Sequence, residues 1–372
     1  MTTTKNNEHK NIKVPNLRFP EFQGEWEEYR IEDITVNISS GRCKSHSSNG
    51  KYNLYGSTGI IGKTDEACYE GNLVLVARVG ANAGSLQIIN EPCGITDNTL
   101  IIKPKKVDAQ YIYYFLQHFN LNRLIFGSGQ PLITGSMLKK VKISLGNIQE
   151  QNKLTRLLSL LDERIATQSK IIEDLKKLKS AIIEKLYKGI QGTWYSYRQL
   201  FSIINERNKQ LEYSNVLSAS QERGMVSRED LNLYIHFERS NISTYKIVKN
   251  GDYVIHLRSF QGGFAFSEQT GICSPAYTVL RPNNLLVYGY LSNYFISRDF
   301  VKSLIIVTYG IRDGRSINVD EWLDMKVVIP SKEQQTHIVN VIESIENKIK
   351  NEETYSNCLL NQKQYMLRQM FI

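Results

Sequence analysis

Apolar residues in two stretches of the chain recur at alternating steps of four and three positions, with charged residues between them. This spacing is typical of a coiled-coil seam, in which one stripe of each helix faces a partner. The pattern therefore predicts two long helices, over residues 148–188 and 331–372. The predicted seam residues are Leu154, Leu158, Leu161, Ile165, Ile172, Leu175 and Ile182 in the first helix, and Ile338, Ile342, Ile345, Ile349, Leu359 and Met366 in the second.

The ends of both predicted helices carry capping signals. Asn147 precedes Glu150 by three positions, as Ser331 precedes Gln334, which is the pattern of a capping box. Gly189 can end the first helix in a left-handed conformation. At 1.5 Å per residue the first helix would be roughly 60 Å long, so it needs a partner to cover its apolar stripe. The chain order predicts that the second helix is this partner, that the two pair antiparallel, and that one domain lies at each end.

The regions between the predicted helices show short apolar runs bounded by Gly, Asn or Asp, a pattern typical of β-strands. Runs such as NLVLVARV (72–79) and DYVIHLR (252–258) accompany two aromatic stretches, 108–120 and 285–299, that predict short helices. The fold class is therefore α/β, with two mixed α/β domains separated by two long antiparallel coiled-coil helices. The predicted boundaries are a flexible N-terminal tail at 1–20, a first domain at 21–147, a helix at 148–188, a second domain at 189–330 and a C-terminal helix at 331–372.

Three pairs of similar stretches indicate that the chain contains two copies of one unit. GEWEEYR (24–30) and GTWYSYR (192–198) share Gly, Trp, Tyr and Arg in one frame. GITDNTLIIKP and GICSPAYTVLRP end at Pro104 and Pro282, and the helical stretches match without a gap from Asn147 and Ser331 onwards. The offset between the copies grows in small steps from the first pair to the last, as expected of a duplicated unit with insertions in its second copy. The sequence therefore predicts an internal repeat with an approximate two-fold axis.

Composition indicates a globular protein, and the net positive charge fits either a polyanionic partner or the mild basicity of many cytoplasmic proteins. The chain has 372 residues, of which 41% are hydrophobic and 22% charged, and a net charge of +9. No apolar run approaches the roughly 18 residues of a membrane helix, and the N-terminus lacks the apolar core of a signal peptide. We therefore expect a cytoplasmic protein without a membrane partner. The five cysteines are odd in number and never spaced Cys-x-x-Cys, which argues against a disulfide framework and a zinc site.

Catalytic motifs are weak in this sequence. STGIIGKT (57–64) has Ser57 at the first glycine of a phosphate-binding P-loop, and it leads into a predicted strand instead of a helix. GSGQP (127–131) lacks the third glycine of a dinucleotide site. The six histidines form no His-x-x-x-His pair, so neither a metal site nor catalytic residues are predicted. We expect a binding protein that is not an enzyme, with a P-loop NTPase that uses Lys63 as an alternative.

Three stretches resemble a known family: PNLRFPEFQGEWEEYR (15–30), GICSPAYTVLRP (271–282) and the capped helices that close each half. Together they are similar to the specificity (S) subunit of bacterial type I restriction-modification systems, over nearly all of the chain after about Val14. The resemblance implies that each domain is a target recognition domain for one half of an asymmetric bipartite site in double-stranded DNA, with the helices as spacer. It also implies two methyltransferase (modification) subunits that use S-adenosylmethionine, and restriction endonuclease/translocase subunits that use ATP and Mg. None of that chemistry would reside in this chain.

Candidate DNA-binding residues are the cationic and amide side chains of the polar, glycine-rich segments. Arg can pair bidentately with guanine edges and phosphates. A loop Arg is more often a phosphate contact or a solvated charge than a base reader, so those alternatives stay open. A stand-alone DNA-binding regulator without modification subunits also stays open. The candidates are Arg42, Lys44, Lys51, Lys63, Arg78 and Gln130 in the first domain, and Gln221, Arg223, Arg228, Arg258, Arg312 and Arg315 in the second.

Overall fold

Two compact units make up the structure, which is a computed structural model of the chain. Unit 1 holds Met1–Ser169 and Thr354–Ile372, and unit 2 holds Lys170–Glu353. The structure describes residues 13–43, 47, 49–125, 130–220, 223–231, 239–256, 263–309 and 316–372.

Unit 1 consists mainly of short strands, with the helix over Ala109–Phe119 packed against them. The helix begins where Asp108 accepts a hydrogen bond from the backbone N–H of Gln110 at 2.7 Å, which satisfies a free donor of the first turn. The elements in chain order are β1 (Glu27–Arg30), α1 (Ile31–Ile34), β2 (Thr35–Ser40), β3 (Tyr52–Gly56), β4 (Gly59–Thr64), β5 (Asn72–Ala77), β6 (Leu86–Asn90), β7 (Cys93–Ile95), β8 (Thr99–Pro104), α2 (Ala109–Phe119), α3 (Gly135–Lys139), β9 (Lys142–Leu145) and the start of α4 (Ile148–Tyr187).

In the described part of unit 1 the strands form three sheets. The central sheet is antiparallel with the strand order β2-β8-β5-β6, a smaller sheet has the order β4-β3-β7, and β1 pairs with β9. The apolar runs of β5 and β8 are buried at the centre of the first sheet, which explains why they carry no alternation of polar residues. Helix α2 contributes Tyr111, Ile112 and Phe115 to the main core of the unit.

Unit 2 repeats this plan with a core that is richer in aromatic rings. The ring of Trp322 stacks on that of Tyr197 at a centroid distance of 4.4 Å, and both residues are buried. The elements are the end of α4, then β10 (Thr193–Ser196), α5 (Tyr197–Leu200), β11 (Phe201–Ile204), β12 (Leu217–Ser220), β13 (Gly224–Ser227), β14 (Lys246–Val248), β15 (Tyr253–Ile255), β16 (Phe264–Phe266), β17 (Gly271–Cys273), β18 (Thr278–Pro282), α6 (Arg298–Ser303), β19 (Thr308–Tyr309), β20 (Ser316–Ile317), α7 (Val319–Asp324), β21 (Lys326–Ile329) and α8 (Lys332–Met370), whose last part belongs to unit 1.

The strand order shows the internal repeat. The central sheet of unit 2 has the order β11-β18-β15-β16, which matches β2-β8-β5-β6 of unit 1 strand for strand. Pro104 pairs with Thr35, and Pro282 pairs with Phe201, so the two prolines are structurally equivalent. The match that the sequence indicates around these prolines is therefore confirmed.

The match between residues 24–30 and 192–198 is wrong in register. Glu28 pairs with Ser144 in unit 1, and Trp194 pairs with Val328 in unit 2. Ser144 and Val328 are equivalent, because each is the third residue of its strand, β9 or β21, just before a long helix. The equivalent of Trp194 is therefore Glu28 and not Trp26, so the shared letters are displaced by two positions. The duplication is real, but this particular motif is not evidence for it.

The two long helices are present, with bounds within one or two residues of the predicted ones. In unit 1 Leu154 and Leu158 of α4 pack in one core with Leu367 and Met370 of α8. In unit 2 Ile183, near the end of α4, packs in one core with Ile338 and Ile342, near the start of α8. Each unit thus contains an antiparallel helix pair. All thirteen predicted seam residues are buried or half-buried.

Two ion pairs between the helices occupy equivalent positions. In unit 1 Lys363 Nζ lies 2.5 Å from Asp162 Oδ1, and in unit 2 Lys179 Nζ lies 2.6 Å from Glu346 Oε1. The ungapped match of the helical stretches aligns Lys179 with Lys363 and Asp162 with Glu346. The same antiparallel contact is therefore made once in each unit.

The predicted capping boxes are only half formed. Asn147 Oδ1 accepts a hydrogen bond from Glu150 N at 2.9 Å, and Ser331 Oγ accepts one from Gln334 N at 3.3 Å. The Glu150 carboxylate does not return to the cap. It binds Arg18 Nε at 2.7 Å and Trp26 Nε1 at 3.1 Å, because this buried acid has a charged partner available. Gly189 has a φ of +71°, consistent with the predicted end of the first helix.

The N-terminal segment differs from the expected flexible tail over residues 13–20. Leu17 N donates to Gln369 O at 2.8 Å, Arg18 pairs with Glu150, and Phe19 packs against the main core of unit 1. These contacts join residues far apart in the chain, so the local polar composition could not indicate them. Residues 1–12 lie outside the described part of the chain.

Two further local predictions are settled by the backbone. The aromatic helix predicted at 108–120 is confirmed as α2, but the one predicted at 285–299 is wrong, because most of that stretch forms turns before α6 begins at Arg298. The P-loop-like stretch 57–64 forms the turn and strand β4 of a hairpin, without a helix after it. Among the described residues no helix combines the length and the apolarity that crossing a bilayer requires.

Candidate nucleic-acid interface

Equivalent hairpins lie beside the central sheets of both units. In unit 1 the hairpin is β3–β4, whose Leu54 pairs with Gly94 of β7 in parallel. In unit 2 it is β12–β13, and Val216 at its base forms a parallel bridge with Ile272 of β17. Gly94 and Ile272 are equivalent, because each precedes the matched proline of its unit by the same number of positions. Four of the sequence-predicted DNA-binding residues lie on or next to these hairpins: Lys51, Lys63, Arg223 and Arg228.

A polar cluster surrounds the cations of the first hairpin. Lys63 Nζ donates to Asn53 Oδ1 at 2.7 Å, and Asn53 Nδ2 donates to Glu91 Oε1 at 2.6 Å. These contacts matter electrostatically because the hydrogen bonds from Asn53 and Tyr55, with the charge of Lys63 nearby, lower the pKa of Glu91. Glu91 therefore offsets part of the Lys63 charge. Lys51 lies at the edge of this cluster, exposed, with its Nζ 5.4 Å from the centroid of the Tyr52 ring.

Tyr55 anchors this cluster to the protein interior. Its hydroxyl donates to Glu91 Oε1 at 2.7 Å. Burial, followed by the hydrogen bond to Glu91, raises the pKa of Tyr55 to about 12. The phenol therefore stays protonated at neutral pH and serves as a hydrogen-bond donor that fixes Glu91 under the hairpin.

A second polar cluster forms where the hairpin turn meets the end of β5. Asn98 O accepts hydrogen bonds from Arg78 N at 2.9 Å and from Ser57 Oγ at 3.3 Å. Gly80 N donates to Pro131 O at 3.1 Å, which places the exposed Gln130 beside the same strand end. The structure thus brings Arg78 and Gln130 to one edge of the sheet. Arg78 Nε is buried and has no hydrogen-bond partner among the described residues.

Arg42 extends from the end of β2 on a firmly held backbone. The neighbouring Gly41 N donates to Thr99 O and Cys43 N donates to Ile95 O, each at 2.9 Å. The Arg42 side chain itself is exposed. A cationic side chain on a rigid backbone suits a phosphate contact, because phosphate contacts set the position of a protein on the duplex.

The two arginines of the second hairpin differ in their surroundings. Arg223 is exposed, and its Nη2 donates to Asp230 O at 3.2 Å. Arg228 is half-buried, and its Nε donates to Ser218 Oγ at 2.9 Å across the hairpin. Arg228 therefore helps to hold the hairpin together, whereas the guanidinium of Arg223 faces solvent.

Five sequence-predicted candidates lie outside the described residues: Lys44, Gln221, Arg258, Arg312 and Arg315. Their assignment remains a prediction from the sequence. The sequence-predicted DNA-binding residues do not include Ser57, Asn98 or the exposed pair Ile60 and Ile61, which lie on or beside the same hairpin. The exposed isoleucines fall within the P-loop-like stretch, where the alternation of a hairpin strand was available as a signal.

Exposed apolar residues also mark one face of α4. In unit 2, Ile171 and Leu178 are 40% and 51% exposed. They are seven positions apart, a step that returns to the same face of a helix. Neither residue belongs to the seam.

Within the described residues there is no group of three or more His, Cys, Asp or Glu side chains that could hold a metal ion. The clusters described above combine cationic, amide and hydroxyl groups with the carboxylate of Glu91. Such groups bind phosphates and base edges by hydrogen bonds and charge.

Comparison with known proteins gives consistent matches. The family model of the type I restriction modification DNA specificity domain matches residues 23–177, from just before β1 into α4. The type I restriction enzyme MjaVIII specificity subunit of Methanocaldococcus jannaschii is 27% identical over 213 residues, which are 49% of this chain and 49% of that subunit. The type I restriction enzyme EcoprrI specificity subunit of Escherichia coli is 24% identical over 131 residues, 35% of this chain and 32% of that protein. The chain thus spans about half the length of the MjaVIII subunit, and less of the EcoprrI subunit.

Solved structures share the fold. The crystal structure of a type I restriction-modification system S subunit from M. genitalium matches with a TM-score of 0.59 and 15% identity, over 96% of this chain and 99% of that one. A chain from a structural study of complex assembly and conformational transition of the type I restriction-modification system matches with a TM-score of 0.60 and 12% identity, over 93% and 97%.

Proposed function

Because the chain belongs to the family of type I restriction-modification specificity subunits, we propose that it selects the DNA site on which the other subunits of such a complex act. Each unit reads one half of a bipartite, asymmetric site in double-stranded DNA with the surface around its hairpin. The observation that carries this proposal is the pair of equivalent hairpins, which occupy the same place in the fold but carry different side chains. Because the hairpins occupy equivalent positions, the two units dock on DNA in similar ways. Because their side chains differ, they read different half-sites.

The chain contributes recognition and no reaction. Two methyltransferase subunits with S-adenosylmethionine carry out modification, and the endonuclease/translocase subunits with ATP and Mg carry out restriction. Unit 1 offers Arg42, Lys51, Arg78 and Gln130 to its half-site, and unit 2 offers Arg223. Cations supply the salt-dependent part of DNA binding, whereas the amides and hydroxyls contact base edges.

Two exposed apolar residues of α4 in unit 2 support docking of a methyltransferase subunit on this helix. Ile171 and Leu178 lie on one helix face, away from the seam. Burial of exposed Leu and Ile side chains is a strong driving force for association, at about 25 cal/mol per Å² of apolar surface. We therefore place the methyltransferase contacts along this face.

Methylome sequencing of cells with and without the gene tests the proposal directly. The expected result is an adenine-methylation motif of two short sequences separated by a fixed gap, present only with the gene. The chain should also copurify with a methyltransferase. Sequence-specific binding without methylation would instead indicate a stand-alone regulator. ATP hydrolysis by the isolated chain would favour the NTPase alternative.

An insertion in the helices tests their role as spacer. Four residues added near Thr167 lengthen a helix by about 6 Å, which should lengthen the preferred gap between the half-sites by one or two base pairs. A control insertion of four polar residues after Gly189, outside the helix, should leave the gap unchanged. An unaltered gap in the helix variant would contradict the spacer role while leaving site recognition intact.

A further inference from the structure

The tip of the first hairpin exposes two branched aliphatic side chains side by side. Ile60 is 57% exposed and Ile61 is 42% exposed. Both lie on β4, which is an edge strand in the sheet order β4-β3-β7. An edge strand with exposed apolar residues invites aggregation, and proteins usually place charged residues or proline there. Two isoleucines at such an edge therefore indicate a surface that is covered by a partner.

A β-bulge produces this arrangement. Ile60 pairs with Tyr55 and Gly62 pairs with Leu54, so Ile61 is the extra residue between two registered pairs. A bulge redirects side chains and is common at functional surfaces. In a regular strand Ile60 and Ile61 would point to opposite faces of the sheet.

The side chain of Ile61 packs over Gly56. A Cβ atom at Gly56 would lie 3.1 Å from Cδ1 and from Cγ2 of Ile61, so the isoleucine fills the space above the glycine. The Gly56 carbonyl is itself held by Gln87 Nε2 at 2.9 Å. Ile61 therefore packs on its own hairpin, next in sequence to the more exposed Ile60.

The surroundings of Ile60 point to nucleic acid. Lys63 lies three positions further along the same strand, and in the hairpin turn Ser57 Oγ donates a hydrogen bond to the backbone carbonyl of Asn98. An exposed aliphatic group on the same hairpin as a cation and a hydroxyl matches the major-groove edge of an A·T pair. The C5-methyl of thymine there lies near hydrogen-bonding atoms and between rows of phosphates.

We infer that Ile60 is a specificity-determining residue that contacts the C5-methyl group of a thymine in the half-site read by unit 1. Ile61, which packs over Gly56, positions Ile60. The equivalent hairpin of unit 2 has Met225, which is buried, and exposes the cation Arg223, so the two half-sites differ in the chemistry by which they are read. This inference rests on the proposed function and adds one named base contact to it.

Deoxyuridine provides the test, because it differs from thymidine only by the missing C5-methyl group. The chain in complex with its methyltransferase subunits is bound to duplexes carrying the methylated site, with each thymine of either strand replaced singly by deoxyuridine. One replacement, within one half-site, should weaken binding about fourfold, the factor expected for burial of a single methyl group. The other half-site should show no such position that depends on Ile60.

Substitutions assign the effect to the residue. Ile60→Ala should bind the thymidine and deoxyuridine duplexes equally, and Ile60→Val should retain part of the difference. Val36→Ala is the matched control, since Val36 is 60% exposed and also lies at a bulge in unit 1. The control should keep the wild-type ratio.

Three outcomes oppose the inference in different ways. Absence of site-specific binding by the wild-type complex defeats the proposed function itself. Site-specific binding with no sensitive thymine, or with a ratio that Ile60→Ala leaves unchanged, overturns this inference alone. Loss of the methyltransferase subunits from Ile60→Ala, with an unchanged ratio, shows that the isoleucines contact protein instead.

Discussion

Trp26 and Trp194 hold the same place in two similar stretches of sequence, yet Trp26 is 3% exposed and Trp194 is 65% exposed. The backbone pairing explains the contrast, because the equivalent of Trp194 is Glu28. In the same register, the equivalent of Trp26 is Gly192. A Cβ atom at Gly192 would lie 2.2 Å from Ile329 O, so no larger residue fits there. Strand pairing thus decides which residues of the two copies are equivalent. An alignment by identical residues alone places Trp194 two positions away from its structural equivalent.

The surroundings of Trp26 show how the two copies diverged. In unit 1 the buried Glu150 accepts hydrogen bonds from Trp26 and from Arg18 of the N-terminal segment. In unit 2 the equivalent of Glu150 is Gln334, which is exposed. The N-terminal segment therefore contributes to a polar cluster in unit 1, while the strands and helices around it share the arrangement of unit 2.

The largest expected difference in stability is between substitutions of the two tryptophans. Trp26→Ala should destabilise unit 1 by about 3 to 5 kcal/mol, because it leaves a cavity and removes a donor from the buried Glu150. Trp194→Ala should change stability by less than about 0.5 kcal/mol, as expected of an exposed position. Hydrogen exchange of amides in each unit measures both. Equal losses would show that the register pairing Trp194 with Glu28 is wrong.

A smaller effect is expected from a buried acid present in only one copy. Asp252 is 2% exposed and binds Arg281 through two contacts of 2.8 Å, whereas the equivalents in unit 1 are the buried Leu73 and the exposed Lys103. Arg281→Ala leaves Asp252 without its charged partner and should cost about 2 to 4 kcal/mol, less than a fully buried pair because Arg281 is partly exposed. Lys103→Ala, the matched change, should be nearly neutral. Urea unfolding followed in each unit distinguishes them, and a similar cost for both variants would contradict this account.

The smallest change in stability is expected at the ion pair between the helices that both units share. Lys363→Glu places two acids together at Asp162, and Lys179→Glu does the same at Glu346. Each should cost about 1 kcal/mol, and reversing the partner as well should restore most of it, with a coupling of about 0.5 to 1 kcal/mol. A double-mutant cycle at low salt measures the coupling, which high salt should reduce. Absence of coupling in either unit would show that the helix pairing depends on the apolar seam alone.

Sequence alone predicts the elements whose signals are local. The heptad spacing predicts the bounds of α4 and α8 within one or two residues. The stretches that end at Pro104 and Pro282 predict two equivalent strands. Two failures depend on contacts between distant residues: the hydrogen bond from Leu17 N to Gln369 O and the salt bridge between Glu150 and Arg18. A third failure is the predicted helix before Arg298, where the chain forms turns. No pattern within a few residues carries such information.

The candidate site was predictable in composition but not in geometry. Charge and glycine content identified Arg42, Lys51 and Arg223, which are exposed in the structure. The same criteria could not separate them from Arg228, whose guanidinium binds Ser218, or reveal that Lys63 lies near Glu91. They also passed over Ile60, because an apolar residue becomes conspicuous only when its exposure is known.

The contact between Leu17 and Gln369 has a consequence for biosynthesis. Unit 2 is one continuous segment, whereas unit 1 needs Thr354–Ile372 to complete its core. At roughly 5 to 20 residues per second, the ribosome needs roughly 10 to 40 seconds between the two parts of unit 1. Unit 1 is therefore synthesised first but completes its core last. Truncation of the message within the codons for Thr354–Ile372 would yield a complete unit 2 and an incomplete unit 1.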